Sequence, residues 1–196
     1  MKTIPLAAVL AVALTSQAVR AENATGQFAV EGAGNYTCAA FLDARADKGS
    51  AEYQRLIGFV EGWLSAANRY EPTTFDLTPW HNAAAFDLIL EAHCREHGAD
   101  TVVSVVQRMV GGFRPIRVAQ FSKLLEVGNA NGNTTVYEAI LKRSQAALRT
   151  RGLYSGEEDG AYDNALRDSF MAFQRSAGLE PTGLPDAATL WKLLQP

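Results

Sequence analysis

Two histidines and a glutamate lie close together in the middle of the chain, in the segment His93-Cys94-Arg95-Glu96-His97. On a helix, His93 and His97 would share one face. Two imidazoles so placed, with a glutamate to activate water, can serve zinc-dependent hydrolysis. Such chemistry also needs a distant third ligand and a domain large enough for a substrate cleft, and neither is evident in the sequence.

The segment fits the H-x-x-E-H pattern of inverted zincin peptidases, but its context favours a plain helix end. Gly98 would stop the helix, and basic residues in a last turn favour the negative end of the helix dipole. His81, the remaining histidine, follows Pro79-Trp80 and is interpreted as the start of a helix and not as a general base. The sequence therefore predicts no catalytic residue, no metal site and no cofactor. A small zinc-dependent hydrolase remains the alternative.

Cys38 and Cys94 are the two cysteines of the chain. Together with an export signal, a pair of cysteines predicts a disulfide formed in an oxidising compartment. A bridge over so long a loop would contribute about 4 kcal/mol in the chain-entropy account. Two free, buried thiols are the alternative.

The first 21 residues have the pattern of a secretory signal peptide. Lys2 is followed by an apolar run that ends near Leu14, and small residues then offer cleavage after Ala18 or Ala21. The run is shorter than the roughly 20 residues of a membrane span. We expect a periplasmic protein with no membrane span after signal removal. Its formal net charge of −3 argues against nucleic acid as a partner.

The C-terminal residues 137–196 have the periodicity of three short helices. The first helical run closes at Gly152, which fits a C-terminal cap. The second carries an apolar stripe of Leu166, Phe170 and Phe173. Asp186 can cap the third helix, and its buried side would then hold three leucines: Leu190, Leu193 and Leu194.

The same region contains an ordered set of short motifs: Asp159-Gly160-Ala161-Tyr162, Phe173-Gln174-Arg175, and Thr182-Gly183 followed by Asp186 and Thr189. In this order they resemble the peptidoglycan-binding domains, a family of three-helix modules. The resemblance implies a polar groove between the helices with five ligand-binding residues: Tyr154, Asp159, Tyr162, Gln174 and Arg175. The alternative for Gln174 is to hold the Thr182-Gly183 turn by hydrogen bonds. The family's glycine after the tyrosine is replaced by Asp163, so we expect a remodelled turn and a changed affinity.

Residues 30–111 are predicted to form a helical domain with the disulfide. One stripe, from Tyr53 to Leu64, has helical spacing. A third helix is expected over residues 80–97. Residues 99–110 are rich in β-branched side chains, so the sequence leaves open whether they form a helix or a strand. The segments Tyr36-Thr37-Cys38 and Gly58-Phe59-Val60-Glu61-Gly62, with the later Cys94, faintly resemble HdeA-like periplasmic chaperones and related immunity proteins. This resemblance also implies an all-helical exported domain with one disulfide.

Residues 112–136 would join the two domains, either as a flexible linker or as a short β-hairpin. The sequence thus predicts a mainly α protein with two small helical domains. Its expected function is non-catalytic: the C-terminal domain binds peptidoglycan and the helical domain contacts a protein. Candidate partners are a wall hydrolase, a secreted effector or unfolded client proteins. Another possibility is a drifted module that serves only packing.

Overall fold

The computed structural model describes residues 27–194, and the predicted signal peptide lies outside them. The described part is mainly α, as predicted. Its elements are a 3-10 turn Gly32–Asn35, then α1 Cys38–Arg45, α2 Ala51–Tyr70, α3 Ala83–Cys94, α4 Val102–Phe113, β1 Leu124–Asn129, β2 Gly132–Tyr137, α5 Glu138–Thr150, α6 Asn164–Ser176 and α7 Ala187–Leu194. Within residues 27–194, no helix is both long and apolar enough to cross a membrane.

Side-chain caps fix where the first four helices begin. Thr37, Ser50, Asn82 and Thr101 each accept a hydrogen bond from a backbone N–H of the first turn. The prediction of a helix over residues 80–97 was therefore wrong at both ends, because Asn82 starts α3 and the helix ends at Cys94. The sequence left helix or strand open for residues 99–110, and most of this segment belongs to the helix α4, Val102–Phe113.

A disulfide and a buried carboxylate hold α1 against α3. Cys38, the first residue of α1, is bonded to Cys94, the last residue of α3, which confirms the predicted bridge. Asp87 on α3 is buried and accepts two hydrogen bonds from Arg45 at 2.8 Å and one from Lys48 at 2.6 Å. Burial acts to raise the pKa of Asp87, but the hydrogen bonds from Arg45, Lys48 and Tyr53 outweigh it and keep this pKa below its usual value.

The segment between the two helical regions contains a β-hairpin, one of the two predicted forms. β1 pairs antiparallel with β2, from Leu124 opposite Tyr137 to Asn129 opposite Gly132 at the tip. Val127 and Val136 are buried, one from each strand. Because successive side chains of a strand point to opposite faces, the hairpin has one face in the core and one in solvent.

The hairpin and α5 are bonded to the preceding loop. Arg143 of α5 donates to the carbonyl oxygens of Ile116 and Arg117 at 2.7 and 2.6 Å. The Glu138 amide donates to the Lys123 carbonyl oxygen at 2.9 Å. The described residues from Glu31 onward form one compact unit, and the buried residues of this unit form one apolar cluster from Ala33 to Leu193. The division into domains at residues 30–111, 112–136 and 137–196 stays a prediction.

Candidate binding site

The loop between α5 and α6 is held by one buried glutamine, Gln145. Its Nε2 donates to Asp159 Oδ1 at 3.0 Å and to the Ala161 carbonyl oxygen at 3.2 Å, and its Oε1 accepts from the Gly160 amide at 2.8 Å. The Asp159 carboxylate also accepts from the Ala161 amide at 2.8 Å. That backbone hydrogen bond, followed by the one from Gln145, lowers the pKa of Asp159. The aspartate therefore stays ionised and holds the turn.

The loop between α6 and α7 is held in the same way by Gln174, which is fully buried. Its Oε1 accepts from the Gly183 amide at 2.7 Å. Its Nε2 donates to the Leu184 carbonyl oxygen at 3.0 Å and to two threonine hydroxyls, Thr182 at 3.1 Å and Thr189 at 2.8 Å. Both polar atoms of this side chain are used inside the protein, where they hold the Thr182-Gly183 turn.

The two glycines in these loops have matching surroundings. Gly160 and Gly183 both have positive φ, +79° and +73°. A Cβ on Gly160 would lie 2.7 Å from Glu138, seven residues before Gln145, and a Cβ on Gly183 would lie 2.7 Å from Arg167, seven residues before Gln174. Each loop thus passes directly over the first turn of its helix and is fixed by a glutamine two turns later. Only glycine fits both the angle and the space.

The turn that follows Gly160 does not need the family's second glycine. Asp163 has an extended backbone, with φ −108° and ψ −178°, and its side chain accepts from the Leu166 amide at 2.8 Å. The aspartate caps α6. No left-handed backbone angle is required at this position, so the aspartate fits the turn without strain. The changed affinity stays a prediction.

The tip of the hairpin packs on the two loops. Asn129 Nδ2 donates to the Tyr162 hydroxyl and to the Thr182 carbonyl oxygen, both at 3.0 Å. Asn131 Nδ2 donates to the same Thr182 oxygen at 2.9 Å. The Tyr162 hydroxyl donates onward to the Gly183 carbonyl oxygen at 2.8 Å. The asparagines of the hairpin tip therefore connect the two loops, because they hydrogen-bond to Tyr162 in one and to Thr182 in the other.

The five residues predicted to bind ligand have different exposures. Tyr154 is 7% exposed, and its hydroxyl donates to the Glu157 carbonyl oxygen at 2.9 Å. Gln174 is fully buried, Tyr162 is half-buried, and Asp159 and Arg175 are exposed. A ligand can reach Asp159, Arg175 and the ring of Tyr162 directly. Tyr154 and Gln174 support the loops from beneath.

Residues 138–193, which comprise α5, α6, α7 and both glutamine-held loops, match the family described as "putative peptidoglycan binding domain". The C-terminal module is a peptidoglycan-binding domain. This confirms the resemblance read from the motifs. The hairpin tip, with Asn129 and Asn131, lies outside the matched residues, so this peptidoglycan-binding domain has part of its loop surface covered by a neighbouring segment.

Two curated relatives share a stretch with the chain. Both are called localization factor PodJL, from two strains of Caulobacter vibrioides, and each is 40% identical over 81 residues. The aligned stretch is 41% of this chain and 8% of the relative. The chain thus spans less than a tenth of the curated relatives that it matches. No solved structure gives a significant match.

The H-x-x-E-H segment lies far along the chain from the peptidoglycan-binding domain. The rings of His93 and His97 are 4.5 Å apart, and His93 Nε2 is 2.9 Å from Asp100 Oδ2. Asp100 is also paired with Arg108. Over residues 27–194, no group of three or more histidine, cysteine, aspartate or glutamate side chains is placed to hold a metal ion.

Proposed function

We propose that this protein is exported to the periplasm and binds peptidoglycan there through residues 138–193. The observation that carries the proposal is the family match over a module whose two loops are both fixed by buried glutamines. Export is supported by the signal pattern of residues 1–21 and by the disulfide, since such bonds persist mainly in oxidising compartments.

The binding surface that we propose includes Asp159, Tyr162 and Arg175. Peptidoglycan presents sugar faces and peptide stems with amides and carboxylates. Arg175 can form a two-pronged hydrogen bond with a stem carboxylate, and such charge-assisted pairs are among the stronger hydrogen bonds. The half-buried Tyr162 offers a ring face whose hydroxyl is already oriented by Asn129 and Gly183. A preformed surface of this kind loses little conformational entropy on binding.

We further propose that the helical region contacts a protein, with a wall hydrolase, a secreted effector or an unfolded client as candidates. Two large apolar side chains of this region are exposed, Tyr70 at the end of α2 and Leu88 on α3. The relatives' name, localization factor, is compatible with a module that holds a protein at the wall while another surface contacts a partner.

Sedimentation with purified sacculi tests the binding proposal. We expect the chain lacking residues 1–21 to pellet with sacculi. Arg175→Ala should weaken binding at least tenfold, because one charge-assisted hydrogen bond contributes about 1.5–3 kcal/mol. Arg55→Ala is the matched control, since Arg55 is also an exposed arginine and lies on α2, and this variant should bind like the unmodified protein. Protein that stays in the supernatant would show that the module has drifted to a purely structural role.

We also propose that the protein is non-catalytic, because the matched family is described as a binding domain. The rival function is zinc-dependent hydrolysis at His93 and His97. Metal analysis after dialysis separates the two. Stoichiometric zinc that disappears in a His93→Ala/His97→Ala variant, together with hydrolysis of a wall fragment, would contradict the proposal.

A further inference from the structure

The tip of the hairpin carries the one asparagine of the chain that glycine follows, Asn131. In an asparagine-glycine pair the backbone nitrogen of the glycine can attack the side-chain carbonyl carbon, because no β-carbon shields that nitrogen. Asn131 and Gly132 are both exposed. A Cβ on Gly132 would lie 3.8 Å from Leu184 Cδ1, which is an ordinary contact distance, so the glycine is not crowded. The two reacting groups are therefore accessible to water and base.

Two neighbouring asparagines are less suited to the same reaction. Asn129 is half-buried, is followed by alanine, and donates to the Tyr162 hydroxyl and the Thr182 carbonyl oxygen, both at 3.0 Å. Asn133 precedes Thr134, whose branched β-carbon crowds its own backbone nitrogen. The hairpin thus supplies its own comparison sites.

The Asp159-Gly160 pair shows how the fold protects a similar sequence. Aspartate before glycine can cyclise in the same way, but the Gly160 amide donates to the buried Gln145 Oε1 at 2.8 Å. A backbone hydrogen held inside the protein is removed only when the structure opens locally. Gly132 lies instead at the tip of an exposed hairpin, where local opening requires little free energy.

The side-chain amide of Asn131 has a defined contact in the fold. Its Nδ2 donates to the Thr182 carbonyl oxygen at 2.9 Å. A carbonyl oxygen only accepts, so this contact depends on the hydrogens of the amide. A carboxylate at the same position has no hydrogen to donate, and it would set two acceptor oxygens against each other.

We propose that Asn131 is a site of spontaneous deamidation and that the reaction releases the hairpin tip from the loop between α6 and α7. The Gly132 nitrogen bonds to Asn131 Cγ, and the side-chain nitrogen leaves as ammonia with the proton that the Gly132 nitrogen gives up. Water then opens the cyclic imide to aspartate or isoaspartate. Either product loses the contact with Thr182, and isoaspartate also adds a carbon to the main chain beside the paired Asn129 and Gly132.

Peptide mapping by mass spectrometry, with isoaspartyl methyltransferase to detect isoaspartate, tests the reaction. The chain lacking residues 1–21 is kept folded in mildly alkaline buffer for several days and is then digested. We expect aspartate and isoaspartate to accumulate at Asn131 while Asn129 and Asn133 stay amides. Asn131→Gln retains an amide but would have to form a larger ring, so it should stay unmodified. An intact Asn131 in the folded protein would overturn the inference, whether or not the urea-unfolded chain reacts.

Hydrogen exchange tests the structural consequence. Asn131→Asp reproduces one product, and the backbone amides of residues 124–137 should then exchange roughly threefold faster or more, the equivalent of one neutral hydrogen bond. Gln54→Glu is the control, because it adds the same charge on α2 and also replaces an amide that donates to a backbone carbonyl oxygen; its hairpin should exchange as before. Unchanged exchange in Asn131→Asp would overturn the release of the hairpin tip. Neither experiment uses peptidoglycan, so the proposed function keeps its own separate test.

Discussion

Replacing Gln174 by methionine should destabilise the protein strongly although it keeps the length and apolar stem of the side chain. Gln174 makes four hydrogen bonds inside the protein, to Gly183, Leu184, Thr182 and Thr189. The threonine hydroxyls accept from Gln174, but each keeps a hydrogen of its own that it can donate elsewhere. The Gly183 amide and the Leu184 carbonyl have no such freedom, because both belong to the backbone of the loop.

The magnitude follows from those two backbone groups. Each buried group left without a partner costs about 1–3 kcal/mol, so Gln174→Met should lower the free energy of unfolding by roughly 4 kcal/mol. For a protein of this size, 1 kcal/mol corresponds to about 2–4 °C in Tm. We therefore expect Tm to fall by roughly 12 °C, and the Gly183 amide to exchange its hydrogen faster.

Gln54→Met is the matched control. Gln54 lies exposed on α2 and makes one hydrogen bond, from Nε2 to the Lys48 carbonyl oxygen at 2.7 Å. Its replacement should change Tm by at most about 3 °C, because the Lys48 oxygen can accept from water. Thermal unfolding followed by circular dichroism measures both variants. If Gln174→Met unfolds within 3 °C of the Gln54→Met protein, the glutamine does not hold the loop and the reasoning fails.

Three further predictions concern Asp87, His81 and the disulfide. Asp87→Asn should lower the free energy of unfolding at pH 7 by about 3 kcal/mol, because Arg45 and Lys48 lose a buried partner. In urea titrations this difference should shrink toward pH 3, since an aspartate of lowered pKa stabilises the fold only while ionised. Between pH 7 and pH 5 the unfolded chain takes up a proton on His81, whereas folded His81, with its pKa of about 4, does not, so the fold loses stability over this interval. His81→Phe should therefore lose about 1 kcal/mol less stability between pH 7 and pH 5 than the original protein. An unchanged pH slope would contradict the buried neutral ring. Replacing Cys38 and Cys94 by alanine should cost about 2–5 kcal/mol, and reduction of the original protein should reproduce the loss in a thermal scan.

Helical periodicity predicted most of the fold because its causes are local. The stripe of α2 that includes Leu56, Val60 and Leu64 is buried as expected. The predicted start of α3 lies too early because Pro79-Trp80 resembles a helix start, whereas Asn82 supplies the side-chain cap. The hairpin could be proposed only as one of two forms, since its stability depends on Val127 and Val136 reaching a core assembled by distant helices.

The candidate site was less predictable because its key contacts join residues far apart in sequence. Family motifs marked Asp159 and Tyr162, but they could not show that Gln145 holds the acidic turn from α5. The packing of His81 against Trp80, Phe113 and Trp191 had no signal in the sequence. His81 and Trp191 are more than a hundred residues apart, and a histidine after Pro-Trp predicts only the start of a helix.

The hairpin decides how this peptidoglycan-binding domain can be studied. Asn129 and Asn131 hold the Thr182 carbonyl oxygen at the centre of the loop surface, and Asn129 orients Tyr162. A fragment that begins at Tyr137 would lose both asparagines, the β1 strand and nearly all of β2. Weak binding by that fragment would therefore report the loss of the hairpin and not the affinity of the module. Recognition of peptidoglycan by this protein has to be measured on the chain that includes its helical region.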